Sequence, residues 1–107
     1  MTIESERMEN LEQRLGVEIA RIGAWVTDQR EVRVCGEVRA SRGLNADVRV
    51  VVSIHAADGR VIGATAEYDC VIRTKHFRLL TVFDATVATN RPASEAVKVR
   101  VYVQPAS

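Results

Sequence analysis

Long apolar runs, charge imbalance and aromatic residues are all scarce in this chain of 107 residues. No stretch approaches the roughly 20 apolar residues that a membrane-spanning helix needs, so we expect no membrane insertion. The chain carries 15 basic and 14 acidic residues, and its net charge of +1 argues against a nucleic-acid partner. Because only 5% of the residues are aromatic, we expect a core built mainly from valine, isoleucine, leucine and alanine.

Cysteine is also rare, and only Cys35 and Cys70 occur. Two cysteines do not make the disulfide framework of a small secreted domain, so we expect free thiols in a cytoplasmic protein. The acidic start, Met-Thr-Ile-Glu-Ser-Glu, is unlike a secretory signal and also favours the cytoplasm. The alternative is an exported chain whose upstream signal has been removed, in which the two cysteines would be free to pair.

Motifs for catalysis and metal binding are missing from the sequence as well. Cys35, His55, Cys70 and His76 do not have the spacing of a zinc site, so we expect no metal and no other cofactor. Both histidines are predicted to lie on the surface. There is no glycine-rich phosphate loop and no nucleophile-elbow sequence, so we expect no catalytic residues and a protein that is not an enzyme.

An amphipathic segment begins the chain, with apolar residues at spacings of three and four: Met8, Leu11 and Leu15. This period predicts a helix from about Ile3 to Leu15. Gly16 follows the last apolar position, where a helix end favours a left-handed residue. We assign residues 1–16 to the helix and residues 17–107 to a single β-domain. The narrow apolar stripe can pack on this domain or on a second copy.

From residue 17 onward the apolar period changes to two, which is typical of half-buried strands. The clearest case alternates from Val48 to Ile54 and runs into Asp58-Gly59, which predicts a hairpin with a tight turn. Apolar residues on both faces of 76–87 predict a central strand that is covered on both sides. The predicted strands are 17–26 with a bulge or a switch of faces between Ile19 and Ile22, 31–40, 48–57, 60–68, 70–74, 76–87 and 97–103.

Part of this pattern, from about Val32 to Gly63, resembles the FxLYD-type bacterial domains. The segments that carry the resemblance are Val34-Cys-Gly-Glu-Val38, Asp47-Val-Arg-Val-Val-Val-Ser-Ile54 and Ala57-Asp-Gly-Arg-Val-Ile-Gly63. Ala40 stands where the family usually has asparagine, and His55-Ala56 replaces its tyrosine–aspartate pair. The pattern of one N-terminal α-helix followed by six to seven strands predicts a mainly β protein with an antiparallel β-sandwich, and the resemblance implies that this sandwich is immunoglobulin-like. A small barrel is the structural alternative.

Charged side chains alternate with the valines of three predicted strands and would share one outer face if those strands shared a sheet. The residues of this predicted docking face are Arg33, Arg39, Arg49, Lys98, Arg100 and Tyr102, with Glu31 and Glu37 among them. One interpretation is a ladder of cross-strand ion pairs that keeps the sheet soluble. The other is a docking surface for an anionic group or an acidic protein.

These observations favour a non-enzymatic interaction or accessory module, which binds a protein partner or forms a homo-oligomer. The apolar stripe of the helix and an open edge of the sandwich are the two surfaces on which this expectation rests. The alternative is a small ligand-binding protein or hydrolase, with its site in the loops around Asn45 and Asn90.

Overall fold

The computed structural model describes residues 3–66 and 69–106, without the side chain of His76. Two β-sheets and one α-helix make up this part of the chain, so the prediction of a mainly β fold is confirmed. The elements are β1 (Glu4–Arg7), α1 (Glu9–Leu15), β2 (Glu18–Asp28), β3 (Glu31–Arg39), β4 (Val48–Ala56), β5 (Val61–Ala64), β6 (Val71–Ile72), β7 (Leu80–Ala88) and β8 (Ala96–Pro105). In this region no helix has the length and apolar character to cross a membrane.

The two sheets face each other as an open sandwich. The large sheet has the strand order β1–β8–β4–β5, and β6 pairs with β4 next to β5. The small sheet has the order β2–β3–β7. All described pairings are antiparallel except that of β1, which runs parallel to β8. Because β1 and β2 lie on one flank and β5 and β7 on the other, the sandwich has two distinct flanks.

The core lies between the sheets and is built largely from β-branched side chains, as the composition predicts. Gly36 on β3 makes room for the one buried phenylalanine, because a Cβ atom there would lie 2.6 Å from the ring of Phe83. In the large sheet, alternate residues of β4 and β8 face each other and are almost completely buried. These cross-strand pairs are Val50–Val103, Val52–Val101 and Ile54–Val99.

The predicted hairpin is present as β4 and β5, but its turn has a different form. Of the two turn residues only Gly59 has a positive φ, +85°, so the loop is not the two-residue type. The Gly59 amide donates to the Ala56 carbonyl at 2.9 Å, and the strand register shifts next to this turn. Asp58 accepts a hydrogen bond from the Arg60 amide, as a turn-forming aspartate does. The predicted strand end near Tyr68 lies outside the described residues.

The N-terminal helix is shorter than predicted, since Glu4–Arg7 forms β1 and only Glu9–Leu15 is helical. A helix of this length has little stability of its own, whereas the edge of β8 offers backbone partners to an extended chain. The predicted helix end is confirmed, because Gly16 is left-handed with φ +69°. The amides of Gly16 and Val17 cap the last carbonyls of the helix.

The prediction of a covered central strand at 76–87 is wrong. A short 3₁₀ turn occupies Thr74–His76, and β7 is an edge strand that, in the described chain, pairs with β3 alone. Only every second side chain of β7 points into the core, and those between are exposed. In β2 the register with β3 shifts between Ala20 and Gly23, at the predicted break in alternation.

Candidate interaction surfaces

The predicted docking face is not one surface, because the structure divides its residues between the two sheets. Arg33 and Arg39 belong to β3 and lie on the outer side of the small sheet. The other members lie in β4 and β8, on the outer side of the large sheet: Arg49, Lys98, Arg100 and Tyr102. The outer sides of the two sheets of a sandwich point in opposite directions. The prediction failed because the alternation in the sequence does not show that β3 pairs with β7 rather than with β4 or β8.

On the small sheet the basic residues are neutralised by acids of the same sheet. Arg33 binds both carboxylate oxygens of Asp84, with Nε 2.9 Å from Oδ1. This guanidinium holds the pKa of Asp84 below its ordinary value. Arg39 binds Glu37, with Nη2 2.6 Å from Oε1. The outer face of the small sheet therefore offers no unpaired predicted cation to an acidic partner.

On the large sheet two cations converge on a single acid of β1. The Lys98 ammonium lies 3.1 Å from Oε2 of Glu6, and Nε of Arg100 lies 2.8 Å from Oε1. Hydrogen bonds from Lys98 and then from Arg100 hold the pKa of Glu6 below its ordinary value. Farther along the sheet, Arg49 donates to the side chain of Gln104 at 3.1 Å. Two of the predicted docking residues thus bind a carboxylate on an extended strand.

The apolar stripe of the helix is partly used within the domain. Met8 precedes α1, and its side chain and that of Leu11 are half-buried. Leu15 packs against the core, and the helix contacts β8 and β2. The stripe is therefore not the most exposed apolar surface of the described chain.

Glu12 is a buried anchor that the sequence analysis missed. Its side chain is only 3% exposed, and Oε1 accepts hydrogen bonds from the Ile19 amide at 3.0 Å and from Arg7 at 2.6 Å. The carboxylate therefore ties β1, α1 and the start of β2 together. An acid four residues after Met8 and three before Leu15 is on the apolar stripe, and this position was the available signal.

The prediction of a surface position is wrong for His55, which is only 7% exposed. The pairing of β4 with β5 shifts its register between Ile54 and His55, next to the turn. The ring is therefore buried instead of following the exposed positions of the strand. Its Nε2 lies 2.8 Å from Oγ of Ser53. Burial, followed by the positive charges of Arg100 and Lys98, lowers the pKa of His55. The side chain of His76 lies outside the described part.

An exposed apolar surface runs along the start of β7, and we call it the β7 edge. Its members are Leu79, Leu80 and Val82, with exposed fractions of 56%, 45% and 65%. Next to it, a groove of about 470 Å³ separates β7 from β6 and includes Phe77 and Asp84 in its lining. Other exposed apolar residues lie away from this edge, on β2 and β5: Trp25, Val26 and Val61.

The two loops predicted for a ligand site do not meet in one groove, although Pro92 and Ser94 of the Asn90 loop line a groove at the β2–β3 turn. Asn45 is exposed, while the backbone of Asn90 bonds to Ile62 and Arg30. Neither asparagine lines the groove beside β7 or a second groove of about 460 Å³ at the β2–β3 turn. Within the described residues, no three metal-binding side chains come together.

Comparisons of the chain with models of known protein families, with curated proteins and with solved structures give no match. We therefore infer the function from the surfaces of this chain. The two with the clearest chemistry are the β7 edge and the edge of β8 that β1 covers.

Proposed function

We propose that this chain is a non-enzymatic interaction module that associates with a second copy by joining the two β7 edges. In such a dimer the small sheets of both copies form one continuous sheet. The observation that carries the proposal is an open edge strand whose outward side chains are apolar at its start. An edge strand of this kind is a template for pairing, because its backbone donors and acceptors lack partners on one side.

The sequence of β7 supports this choice of edge. Soluble proteins commonly protect edge strands with lysine, proline or bulges. The strand Leu80–Ala88, with sequence LTVFDATVA, has neither lysine nor proline. At the opposite edge of the same sheet, β2 has two register shifts that disturb a regular pairing edge. The β7 edge is therefore the better site for adding a strand.

The charges beside the β7 edge favour a second copy as the partner. Two acids of this face are already bound to arginines of the same face, in the pairs Arg33–Asp84 and Arg39–Glu37. Two copies that meet here would therefore bring together ion pairs rather than unpaired charges of one sign. A strongly charged partner would find no opposite charge to neutralise, so it would gain little from this surface.

The oligomeric state of paired variants tests the proposal. We expect the wild-type chain to be a dimer by light scattering at micromolar concentrations and Val82→Lys to be a monomer, because a lysine on the edge opposes pairing. Val26→Lys is the matched control, since Val26 is 45% exposed at the other edge of the sheet, and it should remain dimeric. A wild-type monomer at all concentrations, or a dimeric Val82→Lys chain, would contradict the proposal.

We also infer an immunoglobulin-like arrangement of the FxLYD type. In an immunoglobulin sandwich strands B and E pair in one sheet and strands C and F in the other. The pairs β3–β7 and β4–β8 support this proposal if they are taken as the pairs B–E and C–F, with β2 as strand A. The place beside β8 that strand G would take is held by β1, in parallel orientation. A cytoplasmic location belongs to the same proposal, and the free thiols of Cys35 and Cys70 support it.

Ligand binding is the second candidate, and the groove beside β7 is the observation that favours it. Its volume of about 470 Å³ suits a small molecule, and Arg73 and Asp84 supply charged groups to its lining. A panel of small metabolites would be screened by NMR against a Leu80→Lys chain, whose lysine lies on the β7 edge but outside the lining of the groove. Saturable shifts confined to the groove would support this function. No saturable shift would contradict it without affecting the dimer proposal.

A further inference from the structure

We propose that the edge of β8 is a docking site for an extended acidic segment of a partner protein, and that β1 is its internal occupant. We call this site the β8 edge; it consists of the backbone from Lys98 to Val101 and the side chains of Lys98 and Arg100. It lies on the large sheet, on the flank opposite the β7 edge. The inference therefore goes beyond the proposed dimer and does not depend on it.

The internal occupant defines the chemistry of the site. β1 pairs in parallel with β8, so that Glu4 lies opposite Lys98 and Glu6 opposite Arg100. The carboxylate of Glu6 is held by both cations, at 3.1 and 2.8 Å. Acids two residues apart on a strand project to the same side, where both cations lie. A partner segment with this spacing can form the same contacts.

The attachment of β1 to β8 is weak enough for exchange. The strand has only four residues, and three of them are exposed. Its ion pairs with β8 are also partly exposed, with 40% of the Glu6 side chain accessible, and such pairs contribute little because solvent screens them. The firmest anchor of the segment, from Arg7 to Glu12, leads to α1 rather than to β8.

Displacement of β1 would leave two neighbouring cations on an open strand edge. Lys98 and Arg100 would then lack their carboxylate, so an acidic strand would be preferred over a neutral or basic one. The tether gives β1 an effective concentration of about millimolar order, which a free segment must overcome. β1 therefore acts as a built-in competitor that sets the threshold for binding in trans.

A peptide with the sequence of residues 3–8, Ile-Glu-Ser-Glu-Arg-Met, tests the site directly. It is titrated into the full chain carrying Val82→Lys, which removes the proposed dimer, with and without Glu6→Lys. Glu6→Lys places a third cation beside Lys98 and Arg100 and should release β1. We expect the peptide to bind the Glu6→Lys chain at least about tenfold more tightly than the chain with Glu6, because the internal competitor is weakened.

Two controls separate specific docking from general attraction. A peptide with both glutamates replaced by glutamine should bind the Glu6→Lys chain at least about tenfold more weakly, because it lacks the charges. Adding Lys98→Ala and Arg100→Ala to that chain should abolish binding of the acidic peptide. NMR shifts on binding should lie at Lys98–Val101.

Further measurements keep the proposal open to contradiction if Glu6→Lys does not fold. Ser5→Pro, which removes a backbone donor from β1, is a second way to open the edge. The chain with β1 intact should also bind at millimolar peptide concentrations. Absence of saturable binding to every folded chain, or equal binding of the glutamine peptide, would overturn the proposal. If the wild-type chain binds the Glu6→Lys chain by inserting its own β1, the occupant of the β8 edge is a second copy. That result would also overturn the proposal of a partner protein.

Discussion

A single carboxylate organises the start of the molecule. Glu12 is nearly inaccessible, yet it binds the Arg7 side chain and the Ile19 amide, so three elements depend on it. A buried charge is tolerated only when hydrogen bonds replace its water, and here they do. One of these hydrogen bonds comes from the backbone amide of Ile19, and this amide loses its acceptor when residue 12 has no carboxylate.

Loss of this carboxylate should be costly. We expect Glu12→Ala to lower the free energy of unfolding by about 2–3 kcal/mol, because it leaves a buried amide and a partly buried arginine without their acceptor. Urea denaturation monitored by circular dichroism measures the change. Glu9→Ala, an exposed position on the same helix, is the control and should stay within about 0.5 kcal/mol of wild type. Equal stabilities of the two variants would exclude the anchoring role.

His55 should make the stability depend on pH. Its pKa is lowered in the folded chain from an ordinary 6.5, so below that pH the unfolded chain takes up a proton that the folded chain resists. This contribution to stability is present above pH 6.5 and is lost as the pH falls. We expect wild type to lose more stability than His55→Gln between pH 7 and pH 5, measured by urea denaturation. Parallel stability curves would show that His55 does not titrate in this way.

Among the secondary-structure elements, the sequence correctly predicted those strands in which buried and exposed residues alternate. β3 and most of β4 and β8 alternate, so the side that faces the core follows there from the sequence alone, whereas the alternation of β4 ends at the register shift beside His55. Gly59 and Gly16 were predictable for a similar reason, since both take a backbone conformation that glycine adopts without strain.

The elements that the sequence did not predict are those whose environment is set by distant partners. Glu4–Arg7 has a helical pattern but becomes a strand, because β8 supplies hydrogen bonds and cations from the other end of the chain. Apolar residues on both sides of β7 indicated burial, but the small sheet ends at this strand. The local sequence of a strand does not indicate how many strands its sheet contains, so it did not predict that β7 is an edge strand. For this reason the sequence predicted an open sheet edge and the cations Lys98 and Arg100, but not which strands form the two edges.

The contact between β5 and β7 should tolerate no added atom at Gly63. A Cβ there would lie 2.6 Å from the backbone oxygen of Ala88 on the opposite sheet. We expect Gly63→Ala to lower the free energy of unfolding by about 2 kcal/mol, because a strand backbone must move to relieve the overlap. Gly23→Ala, where the nearest atom is a Trp25 side-chain carbon at 3.4 Å, is the control for chemical denaturation. A similar cost for both would contradict tight closure at this flank.

For the whole molecule, the fold does not depend on a covalent link between the sheets. Cys35 and Cys70 are both free, and burial raises the pKa of each thiol. We expect iodoacetamide to modify the native chain several-fold more slowly than the chain in urea, as judged by intact mass, because less thiolate is present. A reductant should leave the melting temperature unchanged. A lower melting temperature in reductant would instead reveal a disulfide.

The opposite positions of the two edges have a consequence for assembly. Joining two copies through β7 uses one flank of each sandwich and leaves the flank with β1 pointing away. The dimer would therefore present two separate β8 edges at its far ends, each closed by its own β1. A partner with two acidic segments could bind both ends, and the second binding event would then occur within one complex. Such a dimer would be a bivalent connector, selective for partners that are themselves repeated.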